Sequence, residues 1–147
     1  MNSGRIIGIH SLAEDQNFRY KHRVKKFCET TSLKSIFYQN SEALFVDIGF
    51  ETRKIDFTNF VVQIDGYISN IQDLKKIFNI EDNNQSSVLN KILESGIWEI
   101  ENYLLGNYAI SIFDKQRSRL KIFTDHFGTR PIYYAHKKKS YFLHASE

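Results

Sequence analysis

The spacing of apolar and polar positions changes twice along the chain. Residues 5–10, RIIGIH, form a short β-branched apolar run, which predicts a buried strand. KSIFYQN and EALFVDIGF, within residues 34–50, predict two further strands separated by the polar break Asn40-Ser41. NFVVQIDGYIS (59–69) reads as a strand carrying Gly66, where the backbone must turn or be closely approached. The period then lengthens to that of a helix. IQDLKKIFNI (71–80) places Ile71, Leu74, Ile77 and Phe78 on one face, with Ser69 or Asn70 able to cap its start. EDNNQ is a polar loop, and SSVLNKILESG predicts a second helix with Val88, Leu89, Ile92 and Leu93 inward and Gly96 as its stop. IWEIENYLLG (97–106) predicts a third, short helix ending at Gly106.

Beyond Gly106 the period falls to two. NYAISIFD (107–114) and RLKIFTD (119–125) predict strands joined by the turn KQRS, and PIYYA and YFLHAS predict a second pair around a lysine loop. In the first of these, Tyr108, Ile110 and Ile112 alternate with Ala109, Ser111 and Phe113, so both faces are apolar and the strand belongs at the centre of its sheet. Trp98 and Phe113 are candidates for a helix–sheet contact. Helices gathered in mid-chain with strands on either side predict an α+β fold: two antiparallel sheets face to face, one covered by the helices of residues 70–105.

Composition narrows the function classes. The 147 residues suit one domain, 1–147, and 41% apolar and 25% charged residues are ordinary for a globular protein. No apolar run approaches a membrane span, the N-terminus lacks the features of a secretory signal, and Cys28 is alone, so no disulfide framework or Cys-based metal knuckle is expected. The expected location is the cytoplasm, with no membrane partner. A net charge of +3 does not argue for nucleic acid. RYKHRVKK (19–26) could form a basic face, whereas HKKKS (136–140) reads as a solvated hairpin loop.

The single proline lies in TDHFGTRPIYYA, residues 124–135. Gly128 allows a backbone conformation that a side chain would forbid, and Pro131 fixes φ and withholds a donor at a strand edge. Together with D-G-Y-I-S-N, L-L-G-N-Y-A-I-S-I-F-D and F-L-H-A-S-E, in that order, this segment resembles the N-terminal glutaminase domain of asparagine synthetase-like proteins. That is the class II glutamine amidotransferase domain, of the N-terminal-nucleophile hydrolase type. The resemblance covers most of residues 59–147, while 11–58 match poorly and His22-Arg23 only echoes the family's H-R-G-P block. It implies a four-layer αββα sandwich. It also makes Asp125, Phe127, Gly128, Arg130 and Pro131 the family's structural D-x-F-G-x-[KR]-P turn, shaping the domain and performing no chemistry.

The same resemblance implies where glutamine chemistry would sit, and there the sequence departs from the pattern. The family's nucleophile is an N-terminal Cys with its own α-amine as base. Alignment of Ile6-Ile7-Gly8-Ile9 puts Gly4 at that position, or Ser3 after a one-residue shift that requires loss of Met1 and Asn2. The oxyanion-binding Asn-Gly pair is replaced by Asp65-Gly66, whose carboxylate offers acceptors where a donor is needed. The carboxylate that follows is replaced by Tyr67, the acidic residue of a later loop by Gln85, and the substrate-gripping arginine has no counterpart in register. Asp65, Gly66, Tyr67 and Gln85 therefore form a vestigial glutamine pocket, with no catalytic or metal-ligating residue assigned.

The expectation is a degenerate glutaminase with a structural or docking role, the N-terminal domain of a longer asparagine synthetase-like protein or a stand-alone relic. Its partner would be a synthetase domain in the same or another chain, and ATP and Mg would be required only there, with no cofactor in this chain. Alternatively, the parent is an ATP-dependent amide-forming enzyme of the asparagine synthetase, β-lactam synthetase or lasso-peptide cyclase type. A third reading is a non-catalytic binding module using cluster 19–26 or Tyr133, Tyr134 and Tyr141, although core packing is the default for such aromatics.

Overall fold

The computed structural model describes residues 5–11, 35–48, 56–138 and 140–146, together with positions 22, 23, 26 and 29. Among these residues eight strands form two antiparallel sheets. The first has five strands in the order β2-β3-β1-β8-β7, from β1 (Arg5–Ser11), β2 (Ser35–Gln39), β3 (Ala43–Ile48), β7 (Tyr133–Lys137) and β8 (Tyr141–Ala145). The second has the order β4-β5-β6, from β4 (Phe60–Ile68), β5 (Gly106–Asp114) and β6 (Arg119–Thr124). Each strand expected from the period-two and β-branched runs is present, and 107–114 is central in its sheet as expected.

The alternation of β5 explains the layering. Ile110 and Ile112 join Val62, Ile64, Leu89 and Ile92 in a large core between the three-stranded sheet and the helices. Phe113, on the opposite parity, packs with Val61, Ala43 and Phe45 between the two sheets. Phe113 thus makes a sheet–sheet contact rather than the expected helix–sheet one, because strand parity turns it away from Ile112. Trp98 does pack against the helix–sheet core, under the Arg119 guanidinium at 4.3 Å. Gln63 also crosses between the sheets: its fully buried amide donates to Val46 O at 2.7 Å. The outer face of the five-stranded sheet holds a further buried cluster, Ile9, Leu44 and Val46. The described residues build three of the four expected layers, α, β and β.

Helix α1 (Ile71–Phe78) buries Leu74, flanked by Ile71 and Phe78, and ends where Asn79 turns left-handed at φ 51°. Ile77 was expected on the same face but is 68% exposed, because it falls at the margin of that narrow stripe in a helix of only eight residues. Asn70 precedes the helix without a side-chain cap. Its amide donates to Tyr103 O at 2.8 Å and its carbonyl accepts from Leu105 N at 2.9 Å, tying the helix start to the chain entering β5. Helix α2 (Gln85–Glu94) buries Val88, Leu89, Ile92 and Leu93 as expected and is followed by Gly96 at φ 92°. Full burial of each such aliphatic side chain contributes roughly 1.5–3 kcal/mol. The expected third helix reduces to one 3₁₀ turn, Ile100–Tyr103, since Leu104 is already extended and the chain must reach Gly106 to begin β5. Basic cluster 19–26 lies mostly outside the described residues; His22, Arg23 and Lys26 are helical and exposed.

Candidate functional site

The chain crosses from the second sheet to the first through residues 125–132, and Asp125 holds that crossing in shape. Although buried, Asp125 accepts from Tyr108 N at 3.3 Å, Phe127 N at 3.0 Å, Thr129 N at 3.2 Å and the Thr129 hydroxyl. Burial alone would raise its pKa, but these four donors outweigh burial and hold the carboxyl below its usual range. Gly128 sits at φ 62° with open space where a Cβ would be, so the turn needs its conformational freedom rather than its small size. The chain turns at these residues, with Gly128 N donating to Asp125 O at 2.9 Å.

What the turn delivers is Arg130. Its Nε donates to Asn107 Oδ1 at 2.6 Å and its terminal nitrogen to Asp65 Oδ1 at 2.7 Å. Asp65 is buried on β4, on the strand face turned toward the other sheet, and Asn107 lies at the start of β5. Gly66 makes room for this arrangement at φ 106°: a Cβ there would collide with Asn107 O and lie 2.7 Å from Arg130 Nε. Close approach, not a turn, is thus the use of the strand glycine. The three polar side chains open onto a cavity of about 600 Å³ whose other walls are Thr129, Pro131, Tyr133 and Ser146.

Ser146 ties the cavity to the first strand, accepting from Ile6 N through its hydroxyl at 3.2 Å and donating its own N–H to Ile6 O at 3.1 Å. Gly4 and Ser3, the two alternatives for the nucleophile position, lie outside the described residues. Of the remaining expected site residues, Asp65, Arg130 and Pro131 line the cavity and Gly66 borders it. Tyr67 is 54% exposed beside them and does not line it. Gln85 is occupied elsewhere: its side-chain oxygen accepts from Ile68 N at 2.5 Å, pinning the start of α2 to the end of β4. Asn107, Thr129 and Ser146 were not singled out from the sequence, and Tyr133 was named only for a possible binding surface. Asn107 and Ser146 sit inside the quoted blocks L-L-G-N-Y and F-L-H-A-S-E, which was the available signal.

Two residues beyond the cavity wall, His144 is enclosed by the rings of Phe45 and Phe142, and neither ring nitrogen has a hydrogen-bond partner. Burial, with a smaller contribution from His10, lowers its pKa to about 4. It packs over Gly8, where a Cβ would collide with the imidazole. Tyr133 and Tyr134, expected in a core, are 62% and 70% exposed on β7, the edge strand of its sheet among the described residues. Among the described residues no group of three or more His, Cys, Asp or Glu side chains could hold a metal ion, and no helix is long and apolar enough to cross a membrane.

The arrangement offers one cation and one carboxylate, largely satisfied by each other and by Asn107, in an otherwise small-residue and aromatic cavity. No curated protein sequence matches the chain. A family model for the glutamine amidotransferase domain matches residues 53–147, which contain Asp65, Asn107, the Asp125 turn and Arg130. With almost two thirds of its length matched, in the segment that builds the second sheet, α1, α2 and the cavity, the chain belongs to the glutamine amidotransferase domain family.

Proposed function

We propose that this domain has lost glutamine hydrolysis and serves a structural or docking role in an asparagine synthetase-like protein of the cytoplasm. The observation that carries the reading is the Asp65–Arg130 ion pair. Amide hydrolysis through a tetrahedral intermediate needs donors aimed at the oxygen on which negative charge develops. Asp65 stands where the resemblance puts an amide donor, and an ionised carboxylate repels that charge. Arg130 directs its Nε and one terminal nitrogen to Asn107 and Asp65, so the cation is neutralised by the carboxylate beside it. The reading assigns ATP and Mg²⁺ to a partner synthetase domain and none to this chain.

The test is glutamate release from glutamine by the purified chain, with the intact mass recorded on the same sample. No release is expected, with Met1 or Asn2 still present, and Asp65→Asn alone is expected not to create activity. Release that requires Ser3 and follows loss of Met1 and Asn2 overturns the reading.

A further inference from the structure

The free side of β7 is the feature least explained by a silent glutaminase. One side of this strand pairs with β8, and no strand pairs with the other among the described residues. All five of its residues are exposed, on both faces. Such a strand presents an unpaired row of N–H and C=O groups, which folded proteins usually shorten, bulge or cover.

The surroundings are chemically one-sided. From His126 to Ser146 the sequence contains no Asp or Glu, while Arg130, Lys137, Lys138 and Lys139 are all cationic. Arg130 is tied to Asp65 in the cavity, and Lys137 and Lys138, exposed at the end of the strand, have no acidic partner among the described residues. Strand parity puts Tyr133 and Lys137 on one face and Tyr134 and His136 on the other. Tyr134 stacks on Phe142 at 5.7 Å and 13°, which gives the second face a flat apolar platform.

We propose that β7 takes an extended acidic strand of a partner protein by antiparallel or parallel addition to its free side. Main-chain hydrogen bonds would supply affinity that is indifferent to sequence, and alternate side chains the selection. Apolar residues of the partner would rest on Tyr133 and Tyr134, and its carboxylates would meet Lys137 and Lys138. A second copy of this chain is disfavoured, because it would bring Lys137 and Lys138 against their own like charges. Nucleic acid could use the tyrosine rings and lysines but leaves the row of backbone groups unmatched. The proposal goes beyond the lost glutaminase and is indifferent to whether glutamine is cleaved.

The experiment uses the full chain with a fluorescein-labelled nine-residue peptide of alternating Glu and Val, read by anisotropy and by amide hydrogen exchange. The expected result is saturable binding that slows exchange within 133–137 and weakens about tenfold in Lys137→Glu/Lys138→Glu. Both substituted residues are exposed, and unchanged exchange in β5 verifies that the variant is folded. Absence of binding, or binding that leaves exchange along β7 unchanged, overturns the proposal. So does tighter binding of a single-stranded oligonucleotide of equal charge, or protection of β7 that appears with protein concentration alone.

Discussion

At the scale of single residues, His144 makes the clearest claim on behaviour. An imidazole sealed between Phe45 and Phe142 with both nitrogens unpartnered is tolerated only while neutral. Its folded pKa of about 4 lies below the ordinary 6.5, so in the interval between them the unfolded chain binds the proton and the folded chain does not. The associated stability is therefore complete above about pH 6.5 and is lost as pH falls toward 4, by roughly 3 kcal/mol in all. His10, across the same layer, has its pKa lowered by burial, partly offset by Glu42, and adds in the same direction. Asp114 and Asp125 also titrate below their ordinary values, where hydrogen bonds outweigh burial, but their contributions fade only below pH 3.8. The windows separate. Urea midpoints measured from pH 7 to 4.5 should fall steeply for the native chain and much less for His144→Leu. Equal slopes would show that His144 is not the group responsible.

At the scale of elements, local rules and tertiary contacts can be told apart. The start of α2 is set locally: the Asn84 side chain accepts from Ser86 N at 2.9 Å and Ser87 N at 3.3 Å. Asn84→Ala should lower stability by about 1 kcal/mol, measured by urea denaturation, with little change in the denaturant slope. A loss under a few tenths of a kcal/mol would mean that Gln85, bonded to Ile68 N, anchors the helix instead. Elements of this kind were legible in the sequence, because β4, β5 and α2 are long enough to show their period. Ile100–Tyr103 was not, since a run of apolar and acidic residues fits a helix unless one knows that Asn70 pulls on Tyr103 and Leu105 from 33 and 35 positions away. The site divides the same way. The resemblance drew attention to Asp65, Gly66, Arg130 and Pro131 one by one. Their meeting was invisible, because Arg130 lies 65 positions from Asp65 and reaches it only when the crossing between the sheets is formed. That contact also changes what the turn does: it carries a cation into the pocket as well as shaping the domain.

At the scale of the whole molecule, order should decline from the shared core toward β7. β5 is paired on both sides, buried over most of its length, and packed against helices on one face and the other sheet on the opposite one. β1 and β3 form the inner counterpart, joined to β4 through Gln63 and to β5 through the contact of Phe45 with Phe113. Among the described residues β7 has one neighbouring strand, and it has no buried side chain, so the β8 ladder is its main restraint there. Opening free energies of backbone amides follow this kind of difference, from near zero at loosely packed segments to the global value in the core. Amide exchange of the free chain is accordingly expected to be slowest in β5 and fastest, among the eight strands, in β7. Denaturant should speed β5 with the slope of global unfolding and leave β7 nearly unaffected, since its opening exposes little new surface. If β7 instead exchanges as slowly as β5 in the free chain, its outer side is already paired. The acidic strand proposed for it would then have no place to add.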